Sequence, residues 1–287
     1  MSGNKRAVIV RTVTDLRAAV SGGARPARLV PTMGALHDGH LSLIERARAD
    51  GGLVVVSIFV NPTQFGDPND LATYPRDEAS DVKLAAKAGA DLVFAPGVDE
   101  VYPDGFSTSI RIESPLTAML EGASRGPEHF WGVATVVAKL FGMAQPDAAY
   151  FGQKDAQQCA VIRRLVADLD LPVTIVACPT VREPDGLAMS SRNVRLNPDD
   201  RARAAGLYAA LIGIDDAVAD GEYLVGRLVE QGRSTMDGYG IQPEYLEGVD
   251  PSTLAPVAEA GPGTLFVTAA KVGPVRLIDN LAVSVGR

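Results

Sequence analysis

The chain has 287 residues, 46% of them hydrophobic and 22% charged, with a mean hydropathy near zero, which is enough apolar material for the cores of about two soluble domains. A formal charge of −8 excludes a broad nucleic-acid surface, which needs clustered Lys and Arg, so any polyanionic ligand must meet a local basic pocket. Two cysteines without CxxC spacing, Cys159 and Cys178, exclude a disulfide scaffold and fit a reducing cytoplasm.

In chain order, MSGNKRAVIVRTV carries Lys5 and Arg6 but too few apolar residues for a signal peptide. RLVPT at 28–32 reads as a strand entering a loop, and HLSLIERARA at 40–49 sets Leu41, Ile44 and Ala47 on one helical face. LVVVSIFV at 53–60 is apolar on both faces, as in a buried parallel strand, and far too short to span a membrane. A helix is predicted around 77–88, then a strand at DLVFAP and a buried helix at 133–144. AAYF at 148–151 reads as a short strand, DAQQCAVIRRLVADL as a helix, and VTIVAC at 173–178 as another strand. This alternation predicts an α/β fold, a parallel sheet covered by helices on both sides. After Asn193 the pattern changes. Residues 199–235 are Ala-rich and helical, whereas 265–283 reads as two strands joined at Gly273 and Pro274, an antiparallel hairpin. A boundary is placed near residue 186, giving domains 1–185 and 186–287.

Several motifs lead nowhere. GASRG at 122–126 matches the GxSxG elbow of serine hydrolases, but Pro127 follows at once and the only later histidine is His129, five residues on from Ser124. Neither GxGxxG nor GxxxxGK[ST] occurs. His37, His40 and His129 offer three imidazoles for zinc, yet there is no HExxH helix and both cysteines lie in apolar contexts away from them.

PTMGALHDGH at 31–40 carries more. It lies where the first strand of a parallel sheet turns into a helix, the edge at which such sheets bind ligands. Gly34 and Gly39 let the backbone approach a ligand closely. His37 and His40, three residues apart at the mouth of the helix, can point the same way, and the positive end of the helix favours an anion. The pair is expected to face a nucleotide. FGQKD at 151–155 adds the cation Lys154 at the same sheet edge, and MSSRN at 189–193 adds two hydroxyls and the Arg192 guanidinium.

PTMGALHDGH, VSIFVNPTQF, YPRD, LEGASR…HF, FGQKDAQQ, DGLAMSSRN and RLIDN, in that order, resemble the pantothenate synthetase (pantoate–β-alanine ligase) family, within the HxGH nucleotidyltransferase superfamily. The resemblance covers nearly the whole chain. It implies a Rossmann-like nucleotide- and pantoate-binding domain with a smaller α/β lid domain. It also implies a cytoplasmic homodimer that uses ATP and Mg²⁺ to condense pantoate with β-alanine through a pantoyl adenylate. Alternatives are another HxGH-superfamily nucleotidyltransferase, or a non-catalytic nucleotide-binding module.

Carried over by matching position, Met33, Gly34, Ala35, Leu36, His37, Asp38, Gly39 and His40 line the ATP site, with His40 in a catalytic role. Gly152, Gln153, Lys154, Asp155, Val181, Met189, Ser190, Ser191 and Arg192 also contact ATP. Of these, Lys154, Ser190, Ser191 and Arg192 join His40 as catalytic candidates. Gln64 and Gln158 resemble the pantoate-binding glutamines, Gln64 also lying near β-alanine; the Mg²⁺ ligands are not assigned. The chain departs from the family pattern at Gln153 and Ala156, where FGEKD and an aromatic are usual, and in one extra residue between Arg125 and His129.

Overall fold

The computed structural model describes residues 7–66 and 68–284. They divide into two compact units, the first made of residues up to 152 together with 161–178, the second of 153–160 together with residues from 179 on.

The first unit is built on six parallel strands. These are β1 (Val8–Val10), β2 (Ala27–Thr32), β3 (Leu53–Ile58), β4 (Leu92–Phe94), β5 (Ala148–Gly152) and β6 (Thr174–Cys178), in the order β1-β4-β3-β2-β5-β6. Side chains alternate across each strand, and both sets are buried. On one face Val30, Val54, Val56 and Val93 pack with Ile44 and Ala47 of helix Asp38–Ala49 and Ala85 of helix Glu78–Ala88. On the other, Leu29, Val55 and Phe94 are equally buried, and helix Pro127–Ala144 packs on β2 and on helix Val13–Ser21. Each such aliphatic side chain contributes about 1.5–3 kcal/mol by leaving water. The doubly covered parallel sheet is the one the hydrophobic runs predict.

Strand order positions the site. From β2 the chain works outward through β3 to β4, then returns to place β5 on the opposite side of β2. At such a reversal the connections leaving neighbouring strands diverge to opposite faces and open a crevice at the carboxyl ends. The two strands concerned end at Thr32 and Gly152, so PTMGALHDGH and FGQKD leave the sheet at the switch point.

The second unit holds an antiparallel sheet of β7 (Pro243–Val249), β8 (Leu265–Val272) and β9 (Val275–Ala282). Val272 pairs with Val275 across the predicted turn at Gly273 and Pro274. Leu211 and Ile214 of helix Gly206–Ala219, with Leu228 and Met236 of helix Val225–Gly238, pack against Phe266, Ala270 and Val272. The helical stretch resolves into three helices, the first being Pro198–Ala204. The hairpin gains a third strand that periodicity does not announce. It opens on Pro243, which lacks an N–H and is tolerated because β7 is an edge strand. Likewise β3 stops at Ile58, before Phe59 and Val60, as the chain turns into the 3₁₀ turn Pro62–Gln64.

Candidate active site

Helix Asp38–Ala49 starts two residues before the predicted His40, because its cap is imidazole rather than hydroxyl or carboxylate. His37 Nδ1 accepts a hydrogen bond from the N–H of Gly39 at 3.2 Å, and His40 Nδ1 accepts one from the N–H of His37 at 3.4 Å. The two histidines thus form a reciprocal capping box in place of the usual Ser/Thr and Glu. Their ring centroids are 4.1 Å apart and the planes tilted by 43°. With Nδ1 an acceptor in each ring, a neutral imidazole carries its proton on Nε2 and can donate only from there. Both donors sit at a helix N-terminus, where anionic charge is favoured.

The loop before the pair is held by a residue that the sequence does not single out. Asp81, 3% exposed, lies in the first turn of helix Glu78–Ala88. Its Oδ2 accepts from the N–H of Ala35 at 2.9 Å and its Oδ1 from that of Leu36 at 2.7 Å. Gly34 has φ +82°, and a Cβ there would meet Asp81 Oδ2 at 2.9 Å, so this approach needs glycine. Ala35 is also left-handed, at φ 51°.

Gln64 ends the turn Pro62–Gln64 in the same unit. Its Oε1 accepts from Asn61 Nδ2 at 3.0 Å, its Nε2 faces Met33 Sδ at 3.0 Å, and its backbone O lies 2.8 Å from His129 Nδ1. Asn61, 1% exposed, is fixed in turn by the Tyr102 hydroxyl, which donates to its Oδ1 at 2.8 Å, and by its own donation to Gly132 O at 3.2 Å. A Cβ on Gly132 would stand 2.4 Å from Thr63 O, so only glycine lets helix Pro127–Ala144 close on this turn. Met33 of the histidine loop and the pantoate candidate Gln64 are therefore brought into contact. In the region of the extra residue, Arg125 pairs with Glu121 at 3.0 Å within a one-turn helix, Glu121–Arg125, that also contains Ser124. Ser124 has none of the strand–turn–helix setting of a hydrolase elbow.

The other predicted residues belong to the second unit, apart from Gly152 at the end of β5. The 3₁₀ turn Gln153–Asp155 follows β5 directly, and Lys154 Nζ is 3.9 Å from Asp155 Oδ2. Gln158 is half-buried near the start of helix Ala156–Asp168. Val181 and Met189 are joined by a backbone hydrogen bond of 3.0 Å across a narrow antiparallel turn. Beyond it, Ser190 Oγ accepts from the N–H of Arg192 at 3.2 Å. Asn193 pins this segment by donating to Glu183 Oε1 at 3.0 Å and Ala188 O at 3.1 Å. Arg201 holds Glu183 at 2.6 Å and Asp185 at 2.5 Å, and its hydrogen bonds keep the Asp185 carboxyl below its usual range.

Asp81 and Tyr102 belong to no short motif, and Asn61 and Asn193 are not singled out within VSIFVNPTQF and MSSRN, because each works through a backbone group or another side chain. The signal available was a polar residue in an apolar helical setting, as with Asp81 beside Val82 and Ala85. Among the described residues, no group of three or more His, Cys, Asp or Glu is placed to hold a metal ion.

The family model Pantoate-beta-alanine ligase matches residues 8–282. Pantothenate synthetase from Acidiphilium cryptum is 52% identical over 279 residues, covering 96% of this chain and 99% of that protein. The one from Thermus thermophilus is 50% identical over 278 residues, covering 96% and 98%. A crystal structure of pantothenate synthetase from Thermus thermophilus superposes with a TM-score of 0.92 at 48% identity, covering 96% of this chain and 99% of that one. A pantoate-beta-alanine ligase from Francisella tularensis, complexed with beta-gamma ATP and beta-alanine, superposes with a TM-score of 0.80 at 34% identity, covering 96% and 97%.

Proposed function

The chain belongs to the pantoate–β-alanine ligase family, and from that premise we propose that it joins pantoate to β-alanine, cleaving ATP to AMP and pyrophosphate and forming pantothenate. The pantoate carboxylate attacks the α-phosphorus of ATP and pyrophosphate leaves. The β-alanine amine then attacks the acyl carbon of the adenylate, losing a proton as AMP departs.

The observation that carries this reading is the histidine pair at the mouth of helix Asp38–Ala49. Both Nδ1 atoms accept from backbone N–H groups, so Nε2–H is the donor by which each neutral ring would meet phosphoryl oxygens, where charge grows during attack. His37 and His40, with the Lys154 cation, the Ser190 and Ser191 hydroxyls and the Arg192 guanidinium, are assigned to ATP, with Met33 to Gly39, Gly152, Gln153, Asp155, Val181 and Met189 lining its site. Gln64 and Gln158 are assigned to pantoate, and Gln64 also to β-alanine. A carboxamide both donates and accepts, which suits a ligand with hydroxyls and a carboxylate. Catalysis is then positioning plus electrostatic stabilisation, with no covalent enzyme intermediate.

Mg²⁺ enters this reading as the companion of ATP. That ion is usually held by substrate phosphates with one or two carboxylates rather than by a protein cage, which fits a chain whose described residues offer no cluster of three ligands. It would neutralise phosphate charge; no step is assigned to it. The reading further includes residues 1–185 as the nucleotide- and pantoate-binding domain, 186–287 as a lid, and a cytoplasmic homodimer. The family resemblance supports these, and the buried thiols of Cys159 and Cys178 suit a reducing compartment.

The test is AMP formation by the purified protein. It should require pantoate and β-alanine together, whereas pyrophosphate should appear with ATP and pantoate alone, at about one per site, before β-alanine is added. AMP release independent of either acceptor would overturn the assignment. Absence of pyrophosphate until β-alanine is present would overturn the order of steps.

A further inference from the structure

RLIDN, at 276–280, ends on two buried polar residues. Asp279 and Asn280 lie on β9 and are 3% and 5% exposed. Asn280 Nδ2 donates to Gln153 O at 2.9 Å and to Lys154 O at 2.8 Å. An amide nitrogen carries two hydrogens, and this one spends both on adjacent carbonyls of the turn that presents Lys154. The backbone of Asn280 is itself fixed. Its N–H donates to Asp279 Oδ1 at 2.8 Å, its C=O accepts from Arg182 Nη2 at 3.1 Å, and β9 pairs it with Val267 on β8. Arg182 also grips the Asp279 carboxylate at 2.6 and 3.0 Å and donates to Gly186 O at 3.0 Å. One dipeptide of the antiparallel sheet thus anchors the Lys154 turn and the segment that runs on to Ser190 and Arg192, all within the second unit.

We propose that Asn280 is a positioning residue for Lys154, setting where the ammonium stands during transfer of the adenylyl group. The inference rests on the role given above to Lys154. A lysine places its charge through four rotatable bonds, so the backbone beneath it decides how far the tip can wander. Displacement of a catalytic group by about 1 Å costs on the order of 10²-fold in rate. Three features make the amide hard to replace. It offers two donors at one atom, it is rigid in a sheet, and it faces two carbonyl oxygens that would repel a carboxylate.

Single-turnover assays of the full chain test this with Asn280→Ala, Asn280→Asp, Lys154→Ala and the Asn280→Ala/Lys154→Ala double variant. Asn280→Asp keeps the volume while removing both donors, and a thermal melt of each variant shows whether it is folded at the assay temperature. Pyrophosphate release from ATP and pantoate should slow about 10–100-fold in either Asn280 variant. Discharge of enzyme-held adenylate by β-alanine, in which charge grows on the departing AMP but no pyrophosphate leaves, should slow clearly less than pyrophosphate release does. In the Lys154→Ala background the Asn280 change should add almost nothing, because residues acting through one group are not additive. Full activity of both Asn280 variants beside an impaired Lys154→Ala, equal slowing of both steps, or multiplying losses in the double variant would each overturn the proposal. Wild-type turnover of Lys154→Ala would instead remove the role of Lys154, and this inference with it.

Discussion

His40 Nδ1 accepts a hydrogen bond from the backbone N–H of His37 at 3.4 Å. The catalytic candidate is therefore also part of the cap of the helix it sits on. His40→Ala should lower the rate of pyrophosphate release about 10²–10³-fold, as loss of a donor to developing charge does. It should cost only about 1 kcal/mol of stability, the scale of a lost cap. His40→Asn, whose carboxamide can accept from the same N–H, should recover the stability and not the rate. Rapid-quench kinetics beside thermal melts separate the two effects, and a wild-type rate in His40→Ala removes the residue from the mechanism.

Asp81 uses both carboxylate oxygens on two successive N–H groups, those of Ala35 and Leu36. Asp81→Asn keeps the shape but offers one acceptor and turns an NH₂ toward the other N–H. One buried donor loses its partner, at about 1–3 kcal/mol, and the left-handed Ala35 loses part of what holds it. The expected result is a lower melting temperature with a raised KM for ATP and an unchanged KM for β-alanine. An unaltered KM for ATP would mean that the loop keeps its shape without the carboxylate.

Gln64 Oε1 is already an acceptor, from Asn61 at 3.0 Å, so Gln64→Glu preserves that bond and should fold normally. The new charge would stand beside an anionic substrate, where like-charge repulsion is costly. KM for pantoate should rise far more than KM for ATP. Comparable rises for both substrates would show that Gln64 does not touch pantoate.

Tyr150, wholly buried on β5, donates its hydroxyl to Asp50 Oδ2 at 2.9 Å. Burial and this bond push the phenol up to about 12, while the same hydrogen bond, with help from Arg46, holds the Asp50 carboxyl below its usual range. A depressed carboxyl adds stability above its unfolded value of about 3.9, and this is lost as pH falls through the lower folded value. Tyr150→Phe should therefore be less stable than wild type by about 1 kcal/mol at pH 7. The gap should narrow below about pH 4, where Asp50 protonates in the unfolded chain. Urea unfolding at pH 7 and pH 3.5 measures it; a gap that widens toward acid contradicts the assignment.

The fold was largely legible in the sequence because its signals are local. Continuous apolar runs such as LVVVSIFV mark strands buried on both faces, and the Gly273 and Pro274 turn marks the hairpin, whatever the rest of the chain does. The proposal of a ligand-facing loop at PTMGALHDGH rests on local signals too, since glycines and imidazoles at the start of a helix carry their chemistry with them. The edge strand β7 escaped because Pro243 and Glu244 break the pattern, and pairing with β8 overrides weak propensity.

What the sequence alone determined, then, is the α/β class and the antiparallel hairpin, since these follow from periodicity within a few neighbouring residues, while the phosphate-handling groups are proposed from the side-chain chemistry of PTMGALHDGH, FGQKD and MSSRN. Only the tertiary structure decided the strand order that sets the ends of β2 and β5 at a switch point, and the anchors of the groups themselves. Asp81 meets Leu36 across 45 positions and Asn280 meets Gln153 across 127. A buried carboxylate can satisfy any backbone N–H, and a buried amide any N–H or C=O, within about 3 Å. Which one it meets depends on how packing brings remote segments together, and that choice leaves no periodic trace in the chain.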